Sequence, residues 1–291
     1  MSRVHDALRR AEQGTPFPEE TPLELHTPEI RGPEYLPVNG SQAVSPAGRL
    51  TLTPAMLAEV PVVPFTPAPE SHLLDLNNSH ETPAEEFRTL RTRLNHLQTL
   101  QPLHTVVVTS PSPAEGKTFS AVNLALAQAQ IAESSVLLGD FDLRRPIIHN
   151  LFQIDRTPGL SDFLTGRCTF PQALRKVEGM SLYLLPAGSL VKNPLELLNM
   201  RQARALFEEL PRIVNWAIFD TPPLLFSADA NLLATLADGT VLVVKIGSTT
   251  FDNVQRAMQS LCENNVLGIV ANGARASELY SKYTYYYSKT E

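Results

Sequence analysis

A chain of 291 residues, 43% hydrophobic and 19% charged, has the composition of a globular protein and the length for one large domain or two small ones. No apolar run approaches the ~18 to 20 residues that span a bilayer, and the N-terminal MSRVHDALRRAEQ lacks the apolar core of a secretory signal, so a cytosolic protein is expected. A net charge of -6 without a basic block argues against bulk nucleic-acid binding, and Cys168 and Cys262, far apart in sequence, fit free thiols better than a disulfide or zinc site.

Segment 1–14 reads as a short helix, with Ser2 as N-cap, Gly14 as its stop, and Val4, Ala7, Leu8 and Ala11 on one side. Alone it is marginal in water; it either docks on the body or on a partner, or it frays. From 15 to 80 the periodicity is lost, and the first eighty residues hold 12 of the 24 prolines, which predicts a flexible tether. A folded domain is expected over 81–275. It opens on a helix with Thr82 as N-cap, Pro83 at the first helical position and Glu85 completing a capping box. Phe87, Leu90, Leu94 and Leu97 form its packing face. Glu85, Arg88 and Arg91 share a separate flank, either a solvated face or a contact with another subunit.

The apolar run HTVVVT leads into SPSPAEGKTF and then the helical pattern SAVNLALAQAQ. A strand, a tight loop ending in Gly-Lys-Thr and a helix make a phosphate-binding loop, although Pro111 stands where the general pattern has its first Gly. GKT by itself is weak evidence, and the flanking strand and helix are what raise it above a turn. Backbone N–H groups from Ser112, Pro113, Ala114, Glu115, Gly116, Lys117, Thr118 and Phe119, less the proline, can surround phosphate oxygens at a helix N-terminus. Gly116 permits close backbone approach, Lys117 can reach the β and γ phosphates, and the Thr118 hydroxyl can ligate Mg2+.

The strand in SSVLLGDFDLRRP ends at Asp140, with Asp142 two residues on. Two carboxylates so close repel each other unless a cation lies beside them, which points to Mg2+. A loop-rich helical stretch, 147–177, precedes a third strand in SLYLLPAG. NWAIFDTPP then places Asp220 at the end of a buried strand, the Walker B position, where it would hold Mg2+ or its water; the plainer reading is a turn-capping Asp. A helix near 229–236, the strand GTVLVVKI, a helix from 251 and the strand VLGIVAN follow. Alternating strands and helices predict a parallel sheet covered on both faces, with ligands beyond the carboxyl ends of the strands. Asn272 falls at one such end, where it reads an adenine edge or bonds a neighbouring loop. The tail 276–291 carries Tyr280, Tyr283, Tyr285, Tyr286 and Tyr287, five of the seven tyrosines, which serve as phenol nucleophiles or as a tail that orders on a partner.

Taken as a set, these motifs resemble the bacterial tyrosine kinases linked to capsule and exopolysaccharide synthesis, over residues 80–291. SPSPAEGKT is similar to the family's Walker A, with Ala114 where a Gly is common. VLLGDFDLRRP is similar to its second acidic motif, with Gly139 in place of an apolar residue and an expected loosening of the strand. AIFDTPP matches its Walker B, and Glu85, Arg88 and Arg91 match its E-x-x-R-x-x-R. The resemblance implies a P-loop fold of the MinD/ParA type behind a disordered Pro-rich segment. It further implies ATP and Mg2+ as cofactors, and autophosphorylation of the tail between subunits of a ring-like homo-oligomer built on Glu85, Arg88 and Arg91. Lys117, Asp140, Asp142 and Asp220 would be catalytic, with Thr118, Asp140 and Asp220 at the metal. A membrane chain-length or export protein is the implied activator, recruiting the chain to the inner membrane face, with a cognate tyrosine phosphatase as a further partner. The competing expectations are a ParA- or MinD-like ATPase switch, against which stands the lack of any Lys in the loop before Lys117, and a nucleotide-binding scaffold of a secretion assembly.

Overall fold

A computed structural model of the protein describes residues 50–67, 73, 84–261 and 266–274. The expected N-terminal helix, most of the tether, Thr82, Pro83, Cys262 and all five tail tyrosines lie outside these residues.

Eight strands form one sheet: β1 (Val62–Val63), β2 (Thr105–Thr109), β3 (Val136–Asp140), β4 (Arg175–Val177), β5 (Leu182–Leu185), β6 (Trp216–Asp220), β7 (Gly239–Lys245) and β8 (Val266–Asn272), in the order β1-β4-β5-β3-β6-β2-β7-β8. Every pairing is parallel except β4 with β5. Of that hairpin β5 is the expected third strand, whereas β4 falls in the stretch expected to be loop-rich and helical: RKV is too short and too charged to read as a strand until β5 offers it an edge.

The central strands are buried throughout, as a sheet covered on both faces requires. Strand parity divides the core. Val106, Val108, Val136, Leu138, Trp216 and Ile218 face the first helix, α1 (Ala84–Leu100), and the helix after the phosphate loop, α2 (Lys117–Ala129). The alternate residues, Val107, Leu137, Ala217 and Phe219, face the opposite layer, where Phe141, Leu206, Phe207 and Leu210 pack. Gly139 belongs to this second layer and, contrary to the expectation, does not loosen the strand. Its backbone pairs with Leu185 on one side and Phe219 on the other, and a Cβ there would come within 2.7 Å of the Phe141 ring. The missing side chain makes room for Phe141, Phe207 and Phe219, whose ring centroids lie 4.6 to 5.7 Å apart.

The tether ends earlier than expected. Residues 50–63 pack on the domain, with a 3-10 helix at Pro54–Glu59, Leu52 and Val60 buried in the second layer, and β1 added to the sheet beside β4. The Leu52 N–H donates to the buried Glu209 carboxylate, at 3.2 Å. The apolar residues that do this are spaced irregularly among prolines, so periodicity does not reveal them. Cys168 is a half-buried free thiol whose pKa is pushed up to about 11, first by burial and then by Asp162. No helix among the described residues is long and apolar enough to cross a membrane.

If 50–63 belongs to the body, Leu52→Ala lowers unfolding free energy by about 2 to 3 kcal/mol, while Val62→Ala, at an exposed position, changes it by less than about 0.5. Urea denaturation of the two variants distinguishes this from a loose tether, for which both are silent.

Candidate active site

The carboxyl ends of β2, β3 and β6 converge on the start of α2. Asp140 and Asp220 are register partners on neighbouring strands, and their parity turns both toward α2. Both are essentially fully buried. Thr118 Oγ1 donates to Asp220 Oδ2 at 2.6 Å. The Lys117 ammonium donates to Asp142 Oδ2 at 3.0 Å and lies 3.6 Å from Asp220 Oδ1. Asp142 stands beyond the end of β3, in a turn that it closes itself, since its other oxygen accepts from the Arg145 N–H at 3.0 Å.

Asp140 Oδ2 accepts from the Ile147 and Ile148 N–H groups, both at 3.1 Å. Its Oδ1 and that of Asp220 are buried without a hydrogen bond. Burial first, then the charge of Asp220, hold the Asp140 carboxyl well above the usual range. Burial likewise pushes Asp220 up to about 6, against the pull of Lys117 and Thr118. For Lys117 burial works to lower the pKa, but Asp220, Asp142 and Asp140 together outweigh it and the pKa is raised.

Two buried carboxylate oxygens without a hydrogen bond, that of Asp220 facing only the Lys117 charge at 3.6 Å, stand beside a hydroxyl and are hard donors of the kind Mg2+ takes. No group of three or more His, Cys, Asp or Glu side chains among the described residues forms a cage for a metal by itself. Mg2+ does not need one, since it completes its octahedron with water and phosphate oxygens. The residues therefore fit Mg2+ held by Thr118, Asp140 and Asp220.

The phosphate loop rests on the segment after β6. Leu224 N–H donates to Ser110 O at 2.9 Å, and Thr109 Oγ1 to Pro222 O at 2.9 Å. Pro113 and Ala114 are exposed at its tip. Ala114 has a φ of 62°, in the left-handed region, which gives the common Gly at this position its physical reason. Gly116 has a φ of 93° and caps α2. Phe119, expected to contribute its backbone N–H, packs its side chain edge-on against Phe87 of α1, with centroids 5.8 Å apart. Asn272 bonds a neighbouring loop, donating to Glu115 O at 2.9 Å.

Arg88 pairs with Glu85 one turn earlier. Arg91 donates to Ala127 O at 2.9 Å, where the last turn of α2 leaves carbonyls unpaired and a cation is favoured. Two contributors were not foreseen. Asp229, buried after the Walker B strand, takes Arg144 in a bidentate pair at 2.7 and 3.1 Å. Thr249 donates to Glu115 Oε1 at 2.6 Å. Sequence offers no sign of either, because the partners are 85 and 134 residues apart.

No protein-family model matches the chain. It is 36% identical over 208 residues to the tyrosine-protein kinase YwqD of Bacillus subtilis, a match that covers 71% of this chain and 87% of that protein. The chain belongs to the bacterial tyrosine-protein kinase family. Among solved structures, this kinase resembles the chimerical protein CapA2B2, with a TM-score of 0.66 and 27% identity over 76% of this chain and 97% of that one. It also resembles the kinase domain of the Escherichia coli tyrosine kinase ETK, with a TM-score of 0.64 and 28% identity over 77% and 95%. Against the E. coli etk sequence the kinase is 33% identical over 212 residues but spans only 29% of that protein's length. Its likeness to MinD of Pyrococcus horikoshii, at 18% identity and a TM-score of 0.52, shows the shared P-loop fold.

Two outcomes are expected. Ala114→Gly relieves a left-handed residue that costs about 1 to 2 kcal/mol, partly offset by glycine's greater freedom when unfolded, and so raises unfolding free energy by about 0.5 to 1 kcal/mol in urea titrations. The second concerns pH. Asp220 binds its proton in the folded state up to about pH 6, whereas an unfolded Asp does so only below about 3.9. The native state thus holds more protons between these values, and stability falls as pH rises through the window. Metal-free kinase should resist urea better at pH 5.5 than at 7.5, and Asp140→Asn should flatten that difference by removing a second carboxyl whose own pKa is raised by burial.

Proposed function

We propose that the kinase phosphorylates its own C-terminal tyrosines, with a tail from one subunit entering the site of the next in a ring-like homo-oligomer. The observation that carries this reading is the convergence of Lys117, Thr118, Asp142 and Asp220 on one buried point at the mouth of a phosphate loop, with an oxygen of Asp140 and one of Asp220 buried without a hydrogen bond. That arrangement receives a triphosphate with its metal. Mg2+, when bound, supplies Lewis-acid neutralisation of the phosphate charge.

Lys117 is tied to Asp142 in the structure, so binding of ATP transfers its ammonium from carboxylates to phosphate oxygens and releases Asp142 Oδ2. That oxygen then accepts the proton of the incoming phenol. The phenol oxygen forms a bond to the γ phosphorus, the bond from that phosphorus to the ADP oxygen breaks, and Lys117 and the loop N–H groups stabilise the leaving charge. Tyr280, Tyr283, Tyr285, Tyr286 and Tyr287 are the proposed acceptors. Glu85, Arg88 and Arg91 are the proposed subunit contact.

Each phosphate adds about -1.5 to -2 charge, so a multiply modified tail repels its neighbours and loosens the ring. In this reading the cycle controls polymerisation and export of an extracellular polysaccharide. A membrane chain-length protein recruits and activates the cytoplasmic kinase, and a tyrosine phosphatase resets it. The family of the relatives supports the chemistry, and the low similarity to MinD keeps the ATPase switch as the competing outcome.

Intact-mass spectrometry after incubation with Mg-ATP tests the reading. Stepwise gains of one phosphoryl group in the wild type, absent from Lys117→Met and from a truncation before Tyr280, are expected. ADP formation at constant mass, with and without a membrane activator, would replace the kinase by an ATPase switch.

A further inference from the structure

Glu115 is buried at 2% exposure inside a loop built to receive anions, and its carboxylate is engaged by the protein itself. One oxygen accepts from the Ser112 N–H at 2.9 Å, the other from the Thr249 hydroxyl at 2.6 Å. Thr249 Oγ1 in turn accepts from the Lys245 N–H at 2.8 Å, at the end of β7. A chain of three hydrogen bonds therefore runs from the end of β7 to the start of the phosphate loop. A second fastening comes from β8. Asn272 Nδ2 donates to the Glu115 carbonyl at 2.9 Å, and its Oδ1 accepts from the Gly273 N–H at 2.9 Å. Gly116 admits this amide, because a Cβ at 116 would lie 1.9 Å from Asn272 Nδ2.

We infer that Asn272 and the Glu115–Thr249 bridge are positioning residues that hold the phosphate loop in its anion-receiving shape and join it to the strand from which the C-terminal segment departs. The inference rests on the nucleotide-site reading and deepens it. A ring of N–H donors binds an anion tightly only if its shape precedes the ligand, since ordering on binding subtracts from affinity. This loop needs such support, with its tip exposed and a left-handed alanine in it. A residue that acts through the loop affects every polyphosphate alike, whatever base is attached. A residue that reads the base does not. Asn272 is also the last residue of β8, two positions before Ala274 at the end of the described chain. A ligand that tightens the loop tightens the root of the C-terminal segment, and by linkage whatever restrains that root favours the ligand equally.

Calorimetric titration of the full chain with Mg-ATP and, separately, with Mg-tripolyphosphate tests this. Asn272→Ala is expected to weaken both ligands by a similar factor of about ten, the effect of losing one well-formed hydrogen bond to a loop that must then order itself. Thr249→Val should weaken both in the same way, and Thr249→Ser, which returns the hydroxyl, should restore them. In autophosphorylation assays the loss should appear as a raised KM for ATP with kcat retained, because ground state and transition state use the same loop. If Asn272→Ala loses ATP affinity but keeps that for tripolyphosphate, the residue reads adenine and the inference is wrong. Wild-type affinity in both Asn272→Ala and Thr249→Val also overturns it. The Thr249 pair differs by small changes around a single hydroxyl, so it is decisive even if Asn272→Ala folds poorly. A wild-type chain that binds neither ligand overturns the nucleotide reading and this inference together, whereas one that binds both upholds the nucleotide reading and leaves the variants to decide the positioning role.

Discussion

The Lys117 ammonium faces Asp142 at 3.0 Å and Asp220 at 3.6 Å, with Asp140 on the adjoining strand also acting on it, in a pocket from which water is largely excluded. Three carboxylates crowd one cation where the dielectric is low, and burial first, with the neighbouring carboxylates adding to it, raises the pKa values of Asp140 and Asp220. A fold selected for stability alone would put apolar groups there. The rest of the molecule is the framework that tolerates this cluster: strands buried on both faces, a helix N-terminus aimed at the charges, and loops that return from three sides to supply N–H groups.

Strand register delivers the cluster. Because β3 and β6 are parallel neighbours in register, the last residue of each is opposite the other, and equal parity sends both side chains to the layer that holds α2. The other layer is filled by the three phenylalanines that Gly139 admits. One strand thus serves two ends at once: polar atoms accumulate at its carboxyl tip while its flanks stay dry. Phe141 sits where these meet, its ring in the apolar layer and its N–H bonded to Asp220 O at 2.9 Å.

Most of the alternation of strands and helices is legible in the sequence, because a buried parallel strand is an unbroken apolar run and its end is marked by the first charge or proline. Asp140 and Asp220 stand where such a run stops and Asp142 just beyond one, while Lys117 and Thr118 are marked by the Gly-Lys-Thr loop between a strand and a helix. What stays hidden is whatever depends on a partner remote in sequence. β4 is a strand only because β5 is beside it, and the packed segment 50–63 gains its order from a surface made more than a hundred residues later. Asn272 shows its location at a strand end but not its partner, and Phe119 sits in a recognisable motif that does not announce its packing on Phe87. A motif fixes where the backbone goes; helical rotation decides which side chains follow it to the ligand.

Arg91 gives the E-x-x-R-x-x-R flank a second allegiance. Its guanidinium is bonded to Ala127 O, at the far end of the helix whose near end forms the phosphate site, and Gln128 on the same turn bonds Asn95. An assembly defect in an Arg91 variant is therefore ambiguous by construction, since the change loosens the protomer's own frame before any neighbour is met. Swapping in lysine does not remove the ambiguity, because a point charge on a flexible stem does not reproduce the geometry of a planar guanidinium. The same bond also means that any load on this flank is passed to a helix whose opposite tip carries Lys117.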